Sequence, residues 1–483
     1  EADHARLAYL LLNKGARVDA EDGKRRTPLW IASEVGSVSA AETLLRFAGK
    51  PCREHGSHNV PLRGNAGAIL FAAIKKGNED LVSLLVQHGA SCTVVNGSGK
   101  TPPYVAAWKG EKEIVRCLLK EGASWDALEE GGETVLHVAA LEGNLKNVRE
   151  ILEAGTAIEA ANEQGATALT AAVCSGSADV AAYLLDMGAN VRVQSFAGRC
   201  KGFSPLHHAS RNGNEQMVKL LLDHRAPVNV FSHSRQSPLY LACEEGHEEV
   251  VRLLLDHDET MLNATDKHGR SALWIAAKNG HQLVAALLLE RGAAHGAESS
   301  TGASALCAAC EDGFHEVVKL LLDKGASMDA RDREGRTALY IASAGGHFKV
   351  VATLIAAGAD KDLPDKGGKT PLQAAIYLGR TSVAQLLHSE GAGLLNEMSD
   401  LHLASALDDP VMFAKALLTT DDVDARHENR WSPLDFAAAD DRVLFASALL
   451  EKGAKVEGVD PERVTPLHTA ALWGKSTAVR LLL

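Results

Sequence analysis

The sequence predicts an all-α repeat solenoid, in which stacked helix-turn-helix units are connected by short β-hairpin or turn fingers. Three observations lead to this prediction. A small hydroxyl residue recurs along the chain, and nine of the thirteen spacings between its occurrences are 33 residues. Each occurrence begins a short apolar segment that usually ends at a glycine, and a second apolar segment follows. A period of roughly 20 to 50 residues is typical of repeat architectures, whose units stack on their neighbours.

The recurring hydroxyl residue, here called the anchor, predicts the start of the first helix of each unit. Its oxygen can accept hydrogen bonds from backbone N–H groups that the first helical turn leaves unpaired. Seven anchors precede a proline, which suits the first helical position because no N–H is needed there. The anchors, all Ser or Thr except one Ala, are Thr27, Ala68, Thr101, Thr134, Thr167, Ser204, Ser237, Ser271, Ser304, Thr337, Thr370, Ser399, Ser432 and Thr465.

Two helices and a turn follow from the residues after each anchor. Small residues such as Ala139-Ala140 allow neighbouring helices to approach closely, and Gly143 ends the first helix. The near-continuous apolar run 317–322 predicts a second helix buried between its neighbours. Polar stretches with a late glycine, such as 332–336, predict a tight turn or short hairpin between units.

Several of these units resemble the ankyrin repeat. The resemblance is carried by Thr465-Pro466-Leu467-His468-Thr469-Ala470-Ala471 and by residues 204–209, each followed by a glycine or equivalent turn and an apolar helix. It extends over the whole chain, as about 15 units. The resemblance implies a non-enzymatic scaffold that binds other proteins or extended peptides along the concave face of the solenoid. The alternative is an ankyrin array of a larger channel, receptor or ubiquitin-ligase adaptor that acts as a tether or regulatory sensor.

Departures from the period predict two regions. Residues 1–393 are expected to form a regular array of about 12 units, the first of them partial, and residues 394–483 about three more irregular ones with a truncated end. Long spacings place insertions near 48–66 and 194–202, either as partner-binding loops or as tolerated surface loops. The short spacing of 29 residues after Thr370 predicts a lost hairpin and a bend.

Two further departures concern the ends of first helices in the irregular region. Asp408 and Asp441 stand where the other units have the glycine between the two helices. That place needs an unusual backbone angle, which Asp tolerates better than most residues. Because Leu481-Leu482-Leu483 leaves an apolar face uncovered, more chain is expected after it.

Composition excludes several classes of function. A net charge of −12 argues against nucleic-acid binding, since phosphate contacts need a basic face. The sequence has no apolar run of the roughly 18 residues that span a bilayer. The eight cysteines are scattered rather than spaced as a disulfide framework, which favours a reducing compartment and a cytoplasmic location.

Motifs that resemble catalytic or metal sites are explained by the repeat. Residues 96–101 end like a phosphate-binding loop but lack its first glycine, and Cys307 and Cys310 form a CxxC motif without further ligands. Seven of the 20 histidines recur at the third or tenth place after an anchor, as His137 and His347 do. We therefore expect no catalytic residues, cofactor or metal site.

The resemblance also implies which residues contact partners, namely turn residues and those at the seventh and eighth places after each anchor. Lys75, Lys76, Lys100, Trp108 and Lys109 form a basic cluster, which predicts an acidic peptide as partner or, alternatively, a solvated lysine-rich face. An acidic stretch follows, which could orient an extended partner. The oligomeric state is left open. The predicted partner-binding residues are Arg26, Lys75, Lys76, Lys100, Trp108, Lys109, Phe203, Arg211, Glu244, Glu245, Glu311, Asp312, Tyr377 and Trp431.

Overall fold

The computed structural model describes residues 2–48, 66–121, 123, 131–393, 399–426, 431–457 and 464–483. Over these ranges it contains 29 α-helices and no β-strand. An isolated bridge between Thr265 and Ser271 is the β-pairing found there. The predicted all-α repeat solenoid is therefore confirmed, and where the structure describes the connections between repeats, they are turns rather than extended hairpins.

The chain divides into two compact units, and the boundary between them falls in residues 242–262. The first unit comprises residues 1–242 and 252–261, and the second comprises 243–251 and 262–483. The helices from the start of the chain to this boundary are α1 (Ala2–Asn13), α2 (Pro28–Val35), α3 (Val38–Ala48), α4 (Ala66–Lys76), α5 (Glu79–Gln87), α6 (Pro102–Lys109), α7 (Lys112–Lys120), α8 (Val135–Leu141), α9 (Leu145–Glu153), α10 (Ala168–Ser175), α11 (Ala178–Asp186), α12 (Pro205–Arg211), α13 (Glu215–Asp223), α14 (Pro238–Glu245) and α15 (Glu248–His257).

The second unit continues the same alternation of first and second helices after a short 3₁₀ turn at Glu259–Met261. The boundary predicted at 393/394 adjoins residues 394–398, which are outside the described residues, and it stays a prediction. The helices after the boundary are α16 (Ala272–Lys278), α17 (Gln282–Glu290), α18 (Ala305–Asp312), α19 (His315–Asp323), α20 (Ala338–Gly345), α21 (Phe348–Ala356), α22 (Pro371–Tyr377), α23 (Thr381–Ser389), α24 (Asp400–Leu407), α25 (Pro410–Thr419), α26 (Pro433–Ala439), α27 (Val443–Glu451), α28 (Pro466–Leu472) and α29 (Ser476–Leu482).

The anchors cap the first helices as predicted. The Thr27 hydroxyl accepts from the N–H of Trp30 at 3.2 Å, and the Ser271 hydroxyl accepts from the N–H of Trp274 at 3.1 Å. Ala68, which has no hydroxyl, lies inside α4 rather than at its start. The Thr101 side chain makes no capping hydrogen bond, so the hydroxyl helps to fix where a first helix begins at most anchors rather than at all of them.

Within each unit, helix pairs bury their apolar residues against neighbouring pairs. In the first unit, α8 packs on α10 and α7 packs on α9. Leu118, Ile151 and Leu184 lie on successive second helices, and none of them has any exposed surface. The core is thus a row of contacts between neighbouring repeats.

The ends of first helices confirm the prediction about aspartates. Gly176 ends α10 in the left-handed region, with a φ of 79°. Asp408 and Asp441 hold the corresponding turns after α24 and α26 with φ of 57° and 61°. Asp441 also accepts hydrogen bonds from Thr477 and from the N–H of Ala478, both at 2.6 Å, and so contributes to the start of α29.

In several repeats, the side chain at the tenth place after the anchor forms a hydrogen bond with the repeat before it. The Asn78 amide donates to the Gly36 carbonyl at 3.0 Å, and the Arg380 Nε donates to the Ala344 carbonyl at 3.1 Å. Such bonds satisfy carbonyls that the end of a helix leaves unpaired.

The two predicted insertions differ in how much of them the structure describes. Most of 48–66 lies outside the described residues. The second, at 194–202, closes on itself, since the Ser195 N–H donates to the Phe203 carbonyl at 2.9 Å. The Gln194 amide joins it to the next turn by donating to the Phe231 carbonyl at 3.2 Å.

Arg442, at the tenth place of its repeat, links three repeats of the second unit. Its side chain is 8% exposed and lies 2.9 Å from an Asp440 carboxylate oxygen. It donates to the Thr381 hydroxyl at 2.9 Å and also to the Ser405 carbonyl. Burial lowers the pKa of Arg442 and raises that of Asp440, so each charge depends on the other.

We predict that Arg442→Met lowers the free energy of unfolding of the second unit by about 3 kcal/mol, because it removes a buried guanidinium with its hydrogen bonds and leaves the partly buried Asp440 carboxylate without its ion-pair partner. Urea denaturation followed by circular dichroism measures this change. Arg380→Met is the matched control, since Arg380 occupies the same place in its repeat but is exposed, and about 1 kcal/mol or less is expected. Equal losses in the two variants would contradict the assignment.

Candidate protein-interaction surfaces

The predicted partner-binding residues at the seventh and eighth places lie at the ends of the first helices. Lys75 and Lys76 are the last two residues of α4, and Trp108 and Lys109 are the last two of α6. All four side chains are exposed. Their position follows from the anchors, because a helix that begins at a fixed residue presents these places at its other end.

These four residues form one basic surface in the first unit. The Lys109 Nζ donates to the Lys75 carbonyl at 2.6 Å, which joins the ends of α4 and α6. The Trp108 ring next to it is 57% exposed. Lys100 lies on the preceding turn, where its Nζ is 4.3 Å from the centroid of the Tyr104 ring. A cation over an aromatic face at this distance is held there electrostatically.

A groove of about 770 Å³ borders the basic surface. Lys75 and Lys76 line it together with the aromatic rings of Trp30 and Phe71 and the apolar side chain of Val95. The sequence analysis missed these last three residues as candidates. Trp30 and Phe71 occupy the third place after their anchors, where several other repeats have histidine. An aromatic ring in place of the capping histidine was the feature of the sequence that could have identified them.

Arg26 contacts its own turn and the ring that lines this groove. Its guanidinium lies 2.8 Å from an Asp22 carboxylate oxygen and 5.3 Å from the centroid of the Trp30 ring. Hydrogen bonds from the backbone N–H and then from the side chain of Arg26 lower the pKa of Asp22 to about 2. Arg26 therefore orients Trp30 at the groove.

The structure places Phe203 and Arg211 differently from one another. Phe203 is only 5% exposed and packs on His207 and His208, with ring centroids 5.3 Å apart in each case. Arg211 ends α12 and is exposed. Phe203 is thus part of the interior in this structure, since the insertion before it folds back on its backbone, and it is left out of the proposed surface.

The predicted acidic stretch is partly neutralised. In the second unit, the Lys278 Nζ lies 2.9 Å from a Glu311 carboxylate oxygen and 2.7 Å from an Asp312 oxygen. Partial burial acts to lower the pKa of Lys278, but the hydrogen bonds that it donates to these two carboxylates raise it overall. Glu245 is exposed, and the Glu244 carbonyl accepts from Asn279 at 2.7 Å.

Tyr377 and Trp431 come together through a residue that the sequence analysis missed. The Phe436 ring lies 6.4 Å from the Tyr377 ring and 5.0 Å from the Trp431 ring, measured between centroids. Tyr377 ends α22 and Phe436 lies within α26, two repeats further along. Phe436 occupies the fourth place after its anchor, where the repeat pattern favours aliphatic or small residues.

The histidines at the third place serve as caps. The Nδ1 atom of His207 is 2.8 Å from the Ser204 hydroxyl and accepts from the Ser204 N–H at 3.0 Å. Its Nε2 lies 3.1 Å from the Gln236 carbonyl, just before the next anchor. His137 repeats the arrangement with Thr134 and Ala166, its Nε2 2.8 Å from that carbonyl. These contacts explain why histidine recurs there without metal or acid–base chemistry.

The CxxC motif lies inside α18. Cys307 is 3% exposed and Cys310 has no exposed surface, and burial raises the pKa of both thiols. In the described ranges, no three His, Cys, Asp or Glu side chains are grouped so that they could hold a metal ion. Among the helices that the structure describes, none has the length and apolar composition needed to cross a bilayer.

Comparison with known proteins gives one family. The family model described as ankyrin repeats (3 copies) matches residues 55–129, 104–195, 136–232, 206–299, 260–332, 306–398 and 401–483. These overlapping matches extend over most of the chain. A search of curated proteins finds no match.

We predict that mild acid destabilises the first unit through His207 and His208. Burial lowers the pKa of each to about 4, with the Arg211 charge contributing at His208, whereas an unfolded histidine titrates near 6.5. The unfolded chain therefore binds protons first, so this contribution to stability is complete above about pH 6.5 and is lost as the pH falls towards 4. For His207 the loss at pH 5 is about 2 kcal/mol, measured from urea midpoints at pH 7 and 5.

A glutamine variant separates this effect from a general acid sensitivity. His207→Gln keeps the type of cap that Gln373 supplies by accepting from the Thr370 N–H at 2.9 Å. The stability of this variant should differ less between pH 7 and pH 5 than that of the wild type. His468 occupies the same place in another repeat but is exposed, so His468→Gln should not reduce the difference. An identical pH dependence for the wild type and His207→Gln would show that the account is wrong.

Proposed function

Because this chain belongs to the ankyrin-repeat family, we propose that it is a non-enzymatic scaffold that holds partner proteins or extended peptides at the exposed ends of its first helices. Ankyrin repeats are in general protein–protein interaction modules and are typically not enzymes. The side chains that set the fold recur from repeat to repeat, so partner choice depends on the variable places.

The basic surface carries this proposal. Lys75 and Lys76 are exposed, and Trp108 places a large, half-exposed ring next to them. Trp is among the side chains most enriched at the energetic centres of interfaces, where it fills a partner's pocket or covers its chain. Three cations around such a ring suit an acidic segment of a partner, which they also attract over a distance.

The adjacent groove favours an extended partner segment rather than a compact one. Its rings, Trp30 and Phe71, come from two consecutive repeats, and Val95 comes from the following turn. A bound segment that follows the groove therefore crosses several repeats and contacts both apolar and cationic side chains. The acidic stretch of the second unit contributes less, because Lys278 already pairs with Glu311 and Asp312.

We place the protein in a reducing, cytoplasmic compartment. The seven cysteines in the part of the chain that the structure describes are free thiols. Disulfides are favoured in oxidising compartments and are rare in the cytosol.

A zero-length carbodiimide cross-linker tests the acidic partner, because it joins lysine ammonium groups only to carboxylates in direct contact with them. We expect Lys75 and Lys76 to be linked to Asp or Glu residues of a distinct protein when the chain is treated in its native extract. Lys75→Glu with Lys76→Glu should reduce recovery of that protein at least tenfold. Mass spectrometry identifies the linked residues.

Lys146→Glu with Lys219→Glu is the matched control. Both residues are exposed on second helices of the same unit, and this pair changes the net charge by the same amount. It should leave recovery unchanged. Loss of the partner in both pairs of variants, or in neither, would count against the basic surface.

A further inference from the structure

A small aromatic pocket lies at the ends of first helices in the irregular part of the second unit. It has a volume of about 130 Å³. Tyr377, Trp431, Phe436 and Trp473 line it, and Lys475 and Asp440 lie at its polar side. We call these four aromatic residues the aromatic pocket.

The pocket is built from three different repeats. Tyr377 comes from α22, Phe436 from α26, and Trp473 follows α28. The Tyr377 and Phe436 rings are stacked at an interplanar angle of 24°, and Trp431 meets Phe436 edge-on at 64°. Trp431 is also held by its carbonyl, which lies 3.1 Å from the His402 Nε2. The walls are therefore positioned by packing and hydrogen bonds before any ligand arrives.

The aromatic pocket does not follow from the needs of the fold. Aromatic residues make up only 5% of the chain, yet four of them line this one site. Two of the apolar side chains that line it are also open to solvent, because Trp473 is 50% exposed and Leu378 is 47% exposed. A cluster of solvent-exposed apolar side chains of this kind marks an interaction site.

The volume of the pocket limits what can enter it. An apolar cavity of about 150 Å³ holds a benzene molecule. A pocket of about 130 Å³ is slightly smaller, so it accommodates a single branched aliphatic side chain such as that of Leu or Ile. Aromatic walls favour such a side chain through dispersion contacts and loss of exposed apolar surface.

The charges around the pocket favour an acidic ligand. The Lys369 Nζ lies 5.2 Å from the centroid of the Tyr377 ring, and Lys475 lines the pocket itself. The carboxylate of Asp440 is shared between Arg442, at 2.9 Å, and the charge of Lys475, so it offsets the two cations only in part. These lysines would repel a cationic group of a ligand, whereas they would attract carboxylates next to the ligand's aliphatic side chain.

We propose that the aromatic pocket binds one Leu or Ile side chain of a partner protein, within a linear segment that carries Asp or Glu on either side of it. This deepens the proposed function and rests on it, but it adds a second site with its own residues and ligand chemistry. The aliphatic side chain fills the pocket, and the flanking carboxylates reach Lys369 and Lys475.

Phage display of random twelve-residue peptides against the full chain tests the proposal, with the Trp473→Ala variant used for counter-selection. Peptides that survive should share a Leu or Ile with carboxylates within three residues of it. Synthetic versions should bind the Trp473→Ala variant at least tenfold more weakly, as measured by fluorescence anisotropy. Lys475→Glu, which reverses a charge but leaves the four aromatic walls in place, should weaken binding at least threefold, and replacing the Leu or Ile by Ala should abolish it.

The controls separate this site from the basic surface. Lys75→Glu with Lys76→Glu should not change the binding of these peptides. Acidic peptides that depend on Lys75 and Lys76 but not on Trp473 would support the proposed function and overturn this inference. Peptides that are basic, peptides without an aliphatic residue, or a selection that yields none dependent on Trp473 would also overturn it.

Discussion

No helix pair in this protein can cover its own apolar residues, and the rest of the structure depends on that constraint. Leu118, Ile151 and Leu184 have no exposed surface because the second helices before and after each of them exclude water. A pair of short helices alone would leave such residues half in solvent, at a cost of roughly 1 to 2 kcal/mol for each side chain. The recurrent spacing of 33 residues suits this constraint, since repeats of equal length bring matching faces into register, and extra residues such as 194–202 lie in a loop.

The same constraint leaves particular places free to vary. The anchor hydroxyl, the small residues of the first helix and the turn at its end are fixed by capping and packing, whereas the last residues of the first helix meet solvent. At those places the first unit has cations around Trp108, and the second has the aromatic pocket. Bonds between repeats, such as that from Lys109 to the Lys75 carbonyl, give these side chains a defined arrangement. The proposed binding residues are thus positioned by contacts between repeats although they lie outside the core.

Most of the fold could be predicted from the sequence because its rules are local or periodic. The capping role of the anchors, the left-handed turns at Asp408 and Asp441 and the template role of the histidines all follow from residue type and place. The candidate sites could be predicted only in part. Phe436 was missed because its contact with Tyr377 joins repeats that are not adjacent, which a search for one period does not reveal. Phe203 has the place of a contact residue but is buried, because the insertion before it closes on its backbone.

The most direct test of this account measures how far the effect of one core substitution spreads. Ile151→Ala should create a cavity at the centre of α9, which destabilises its surroundings by about 2 to 5 kcal/mol. Hydrogen exchange measured by mass spectrometry should then be faster in α9 and in its neighbours α7 and α11, and unchanged in α27. If exchange increased equally in α27 and in the neighbours of α9, the stability of the protein would not be a sum of contacts between adjacent repeats, and the account would be wrong.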